Sequence, residues 1–208
     1  MSALKGSLSY VRFFVDGKPP RDFRDRYTKA IRLRATKPLD PDEDILERSG
    51  WAAVGDPLDT DLGYENVFYD EYLNLAFRTD KWLLPGSLLR ASLRDAEAQA
   101  LGRTKDRARL SRKEKSELKE FVAKKLRRKI PPVTRAVDLS WSLDEGLVRF
   151  FSHSERSITA MCELFERTFD LELVSEAPYT LGARVGLSKQ EELAWEALEA
   201  TVLVAEEE

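Results

Sequence analysis

The pattern of apolar residues predicts an α+β protein, mainly antiparallel sheet with packed helices and a basic helical hairpin. Period-two runs at Leu8–Val15, within Asn66–Leu84, and at Val133–Ser142 followed by Leu147–Phe151 mark strands. Helical spacing over Arg21–Leu33, Pro85–Leu101, Ser111–Ile130 and Ile158–Phe169 marks helices between them. Strands and helices cluster rather than alternate, which disfavours a repeating βαβ sheet.

In chain order, Leu8 to Val15 reads as a strand buried on at least one face, broken by Pro19 and Pro20. Phe23, Tyr27, Ala30 and Ile31 give the next helix its apolar face. A turn at Lys37–Pro41 is expected to lead into a short helix from Asp42 to Arg48, ended by Gly50. Trp51 to Gly63, with Gly55, Pro57 and Gly63, reads as loop. Val67, Tyr69, Leu73, Leu75 and Phe77 alternate, and Thr79-Asp80-Lys81 reads as a hairpin turn before Trp82. Pro85 then suits a helix start, and Gly102 a helix end. Ser111-Arg112-Lys113-Glu114 is a capping box opening the next helix, which Pro131-Pro132 stops. Leu143-Asp144-Glu145-Gly146 is a hairpin turn. Leu171 to Val174 reads as a short strand, and a last helix begins at Ser188, with Glu191 three residues on. These elements divide into a 1–84 α+β region, an 85–132 basic hairpin and a 133–208 hairpin-plus-helix region, or compose one continuous domain.

Composition narrows the function classes. With 42% apolar and 10% aromatic residues among 208, the chain can build a core. No stretch has the 18 or so continuous apolar residues of a membrane span, and Met1 to Tyr10 lacks a signal-peptide core. Cys162 is the single cysteine, which suits a reducing cytoplasm. Net charge is −3, yet Arg103 to Arg135 holds 14 basic against 4 acidic residues, leaving 20 basic and 33 acidic elsewhere. Binding to phosphate depends on local charge, so this segment is the candidate nucleic-acid surface despite the acidic whole.

Within the segment, Leu118, Phe121, Val122 and Leu126 form an apolar stripe. Lys113, Lys124, Arg127 and Arg128 lie beside or opposite it, whereas Lys125 and Lys129 fall inside its arc, where an unpaired buried charge is costly. The expected picture is a helix packed along its first turns, with a cationic end from Lys124 to Lys129 reaching past the body. Lys124, Lys125, Arg127, Arg128 and Lys129 are the primary phosphate contacts, and Arg112, Lys113 and Lys115 the secondary ones. No zinc-ligand spacing, helix-turn-helix or RNA-binding aromatic signature accompanies them, so backbone binding without base readout is expected.

No catalytic constellation is legible, and no cofactor is expected. His153, the one histidine, reads as a capping or surface residue, and Cys162 as a structural thiol on a helix's apolar face. No Walker A, G-x-G-x-x-G or G-x-S-x-G pattern occurs. Asp40, Asp42, Glu43 and Asp44 lack the spacing of a calcium loop and are assigned no metal. Trp51, Trp82, Trp141 and Trp195 read as core or interface residues.

The order of elements and several local strings resemble the recombination-associated RdgC family. The matching features are the Leu8–Val15 strand, the Ser49-Gly50-Trp51 turn, and the strand ending at Leu84-Pro85 with the helix it opens. Glu114-Lys115 with Leu118-Lys119 and Val122, then Gly146-Leu147-Val148 and the Ser154–Phe169 helix, complete a similarity spanning about Ser7 to Ser175. The resemblance implies a non-enzymatic homodimer that encircles double-stranded DNA without sequence preference, limits a RecA-type recombinase and resides in the cytoplasmic nucleoid. Two departures matter. Arg127-Arg128-Lys129-Ile130-Pro131-Pro132 lacks the phenylalanine usual after the family's basic helix, and typical members run about a hundred residues longer. The alternative to DNA is an acidic protein partner for the basic helices.

Overall fold

The computed structural model describes residues 8–103 and 109–198. Seven strands form one antiparallel sheet: β1 Val11–Asp16, β2 Glu47–Ala52, β3 Phe68–Tyr69, β4 Tyr72–Lys81, β5 Val133–Ser142, β6 Leu147–Phe150 and β7 Glu172–Ser175. Their order is β2-β4-β5-β6-β1-β7, with β3 folded back on the start of β4. The helices are α1 Phe23–Leu33, α2 Tyr64–Val67, α3 Gly86–Arg103, α4 Arg112–Arg127, α5 Glu155–Phe169, α6 Pro178–Val185 and α7 Lys189–Glu196. The α+β class, with antiparallel sheet, is as the patterning predicts.

Alternation sorts the sheet into two faces. Trp51, Leu73, Leu75, Phe77, Leu139, Trp141, Val148, Phe150 and Phe13 share the buried one. α1 and α5 cover that face with Tyr27, Ile31, Met161, Phe165 and Phe169. The Trp51 indole N–H donates to the Thr168 hydroxyl at 2.9 Å, whereas the Tyr27 hydroxyl and the Trp141 indole N–H are buried without a partner among the described residues. Because β1 lies between β6 and β7, the segments on either side of the hairpin share one sheet and one core. The α3–α4 hairpin is an excursion from the end of two adjacent strands of the sheet, leaving after β4 and returning into β5.

The expected helix at Asp42–Arg48 is not formed. The Asp42 amide instead donates to the Asp40 carboxylate at 2.9 Å, turning the chain into β2. Cross-strand partners then hold Glu47, Ser49 and Trp51 opposite Lys81, Thr79 and Phe77, overriding local helical preference. Ser49-Gly50-Trp51 is therefore strand rather than turn. Gly50 is required there, because a Cβ would meet the Thr36 backbone at 2.8 Å. Thr79-Asp80-Lys81 is likewise strand. The Asp80 side chain is 1% exposed, and it accepts two bonds from Arg78, at 2.6 and 2.9 Å, and one from Thr134 at 2.7 Å. A carboxylate bonded this fully can stay inside a ladder. The β3–β4 turn falls at Asp70, which takes a left-handed φ of 51°. Leu143 to Gly146 does turn the chain between β5 and β6, with Gly146 at φ 63°. α6 was not expected, although Pro178 at its first position and Gly186 at φ 76° mark both ends. The acidic tail Glu206–Glu208 lies outside the described residues.

Candidate nucleic-acid interface

α4 begins as its capping box requires. The Ser111 amide donates to Glu114 Oε2 at 2.7 Å and the Glu114 amide to Ser111 Oγ at 3.3 Å. α4 packs along α3 through Val122 and Leu126, 4% and 8% exposed. Both lie in its second half, so the most deeply anchored turns are the C-terminal ones and not the first, where Leu118 is only partly buried. Residues 112 and 127 are about 22 Å apart along the axis.

The anchor is electrostatic as well as apolar. The loop that replaces the expected Asp42–Arg48 helix lies against the cationic end of α4. Arg128 Nη2 reaches both oxygens of Asp42 at 2.7 and 3.0 Å, and Lys124 Nζ lies 3.2 Å from Asp44 Oδ1. Arg127 Nη1 donates to the Glu43 carbonyl at 3.0 Å, while its Nε is buried without a partner. Three of the five primary cations are thus held by the body instead of reaching beyond it. Asp42 and Asp44, assigned no role from sequence, serve as their counter-ions, and Glu43 pairs with Arg48.

The remaining cations divide by helix face. Lys125 and Lys129 are exposed along the groove between α4 and α3, opposite Ser92, Asp95 and Gln99. Their place inside the apolar arc costs little, because α3 leaves that groove open to solvent. Arg112 and Lys115 are exposed on the first turn and make no ion pair among the described residues. Lys113 is exposed too, with a loose 3.9 Å contact to Glu117. Lys119 joins Arg112 and Lys115 within about 60° of arc, a match the sequence carried at i, i+3 and i+7. It is the site residue missed by sequence reasoning. Arg112, Lys115 and Lys119 span about 10 Å of axis.

His153 Nε2 sits 2.6 Å from Ser9 Oγ at an exposed position, beside the Ser154 cap of α5. Cys162 is half-buried against the core, and burial pushes its thiol pKa up, away from the reactive thiolate. Among the described residues no group of His, Cys, Asp or Glu side chains is arranged to hold a metal, and no helix is long and apolar enough to cross a membrane. Trp51 and Trp141 are fully buried and Trp82 nearly so, whereas Trp195 of α7 is partly exposed. No protein-family model matches the chain, and no curated protein matches it.

Proposed function

We propose that this chain binds double-stranded DNA through the phosphate backbone, without reading sequence, and uses that binding to limit a RecA-type recombinase. The observation that carries the reading is the set Arg112, Lys115, Lys119, Lys125 and Lys129, exposed on α4 and the turn that follows it with no ion-pair partner among the described residues. Free cations release counter-ions from the duplex, whereas cations already held by carboxylates release fewer. Lys124 and Arg128 join the surface when Asp44 and Asp42 give way, Arg127 stays bonded to the Glu43 carbonyl, and Lys113 adds a weaker contact. The recombinase, homodimer and nucleoid location follow from the resemblance to RdgC, and the function is binding rather than catalysis.

Titration of two unrelated duplexes at about 50 and about 200 mM salt tests this. Five phosphate contacts give a salt slope of about −4.5, hence about a 500-fold loss of affinity over that range, equal for both duplexes. Replacing the five by alanine should flatten the slope. Undetectable binding at low salt would sink the proposal.

A second reading has one observation in its favour. Asp42 and Asp44 already seat carboxylates on the C-terminal end of α4, so an acidic protein segment is a chemically matched partner. It requires negligible DNA affinity at physiological salt together with saturable binding to one acidic protein.

A further inference from the structure

The sheet face that packs α1 and α5 turns polar at the end from which the α3–α4 hairpin leaves. There Glu47, Thr79, Lys81 and Arg135 project to the same side from β2, β4 and β5. The first turn of α5 roofs them, bringing Arg156 and Ser157 and the positive end of the helix dipole. The space between is a trough of about 450 Å³, with Phe77 and Val137 on its floor and Ala160 in its roof.

Three cations share this trough with one carboxylate. Lys81 Nζ and Arg156 Nη2 both reach Glu47 Oε2 at 2.7 Å, so two cations from different elements are already aimed at a common oxygen acceptor. Arg135 is exposed in the same trough and has no ion pair among the described residues. Ser49 and Thr79 hydroxyls bond each other at 2.9 Å, leaving one of their two protons to donate elsewhere. Glu47 thus acts as a built-in acceptor for two of the trough's three cations, with charge left over.

We infer that this trough binds a phosphate group, held by Arg135, Arg156 and Lys81. A tetrahedral oxyanion offers acceptors in several directions and can engage all three donors, which the single Glu47 carboxylate does not. The site is separate from α4 and stands without the duplex-binding reading. Its phosphate comes either from a small phosphorylated molecule or from the nucleic-acid backbone, since Lys129 and Arg135 are joined by the short Pro131-Pro132 turn.

The test is calorimetric titration of the full chain with inorganic phosphate and pyrophosphate, against sodium chloride at equal ionic strength. Phosphate should bind where chloride does not. Arg135→Gln should weaken it by about tenfold, the size of a lost charged hydrogen bond. Glu47→Gln should tighten it several-fold by removing the competing anion, a gain that a misfolded variant cannot mimic. Lys125→Gln/Lys129→Gln should leave it unchanged. Competition by duplex DNA would identify the backbone as the source; pyrophosphate binding that DNA does not disturb would identify a small molecule. Phosphate no better than chloride, or wild-type affinity in Arg135→Gln together with no gain in Glu47→Gln, overturns the inference.

Discussion

Replacing Asp42 and Asp44 together by asparagine should destabilise the protein slightly and, under the proposed duplex-binding function, tighten its hold on DNA. Each change removes one carboxylate from a cation of α4, Arg128 at 2.7 Å and Lys124 at 3.2 Å. Both pairs are substantially exposed, so each contributes about 0.2–1 kcal/mol, and the double variant should lose about 1 kcal/mol in all. For a chain of this size that lowers Tm by about 2–4 °C. The helix stays docked, because Val122 and Leu126 remain buried and Arg127 bonds the Glu43 carbonyl, which neither change removes.

The freed cations add to the phosphate contacts. Two of them steepen the salt slope by about 1.8, from about −4.5 to about −6.3. Between about 50 and about 200 mM salt the affinity loss then grows from about 500-fold to about 6,000-fold, and low-salt affinity rises by about one to two orders of magnitude. Fluorescence anisotropy with a labelled duplex measures both quantities, and thermal denaturation measures the cost. Lower Tm with an unchanged slope would show that the C-terminal end of α4 never meets phosphate. That result would remove Lys124 and Arg128 from the interface.

Other outcomes follow from the core and the titrating groups. Tyr27 is 1% exposed, its hydroxyl has no hydrogen-bond partner among the described residues, and burial pushes its pKa up to about 12. A raised pKa favours the folded state below the ordinary tyrosine value and loses that advantage as pH climbs through the folded one. Stability should therefore fall between about pH 10 and about pH 12. Tyr27→Phe, read by urea denaturation, should flatten that limb at little cost near neutrality, since no bond is lost. Glu47 is held below the ordinary glutamate range, chiefly by the Lys81 hydrogen bond and further by Arg156, against a smaller opposing effect of burial. Its contribution is present above the ordinary value and disappears as pH falls through the depressed one, so Glu47→Gln should flatten the acid limb below about pH 5. Phe165→Ala empties a fully buried position between Trp141 and Phe169 and should cost about 3–5 kcal/mol by denaturant titration. Cys162, half-buried and with a raised pKa, should react with a thiol reagent far more slowly in native protein than in urea.

Elements whose signals are local were legible in the chain. The Ser111 and Ser188 boxes, the β5–β6 turn and the α5 stripe each rest on residues within about four positions of one another. Those that failed depend on distant partners. Asp42 to Arg48 carries helical composition, but β4 claims Glu47 to Ala52, and that pairing joins residues about thirty positions apart. Asp80 looks like a turn residue until Thr134, from the far side of the hairpin, completes its bonds. α6 failed for a different reason. Its Pro178 and Gly186 boundaries were visible, but over its eight residues Tyr179, Leu181, Ala183 and Val185 alternate in period two like a strand.

The candidate site shows the same division at the level of charge. An excess of 14 basic over 4 acidic residues is a one-dimensional sum, blind to carboxylates that arrive from elsewhere in the chain. Folding brings Asp42 and Asp44 onto Arg128 and Lys124, some 80 positions away, and so withdraws the cations that the sum weighted most. It leaves exposed the earlier turns of α4, with Arg112, Lys115 and Lys119 on one face, and Lys125 and Lys129 along the α3 groove. Charge that is already paired stabilises the body, and charge that is unpaired is available to a partner. The acidic loop therefore sets how much of the basic helix is open to a partner, and under the proposed duplex-binding function the salt slope of the aspartate double variant measures that division.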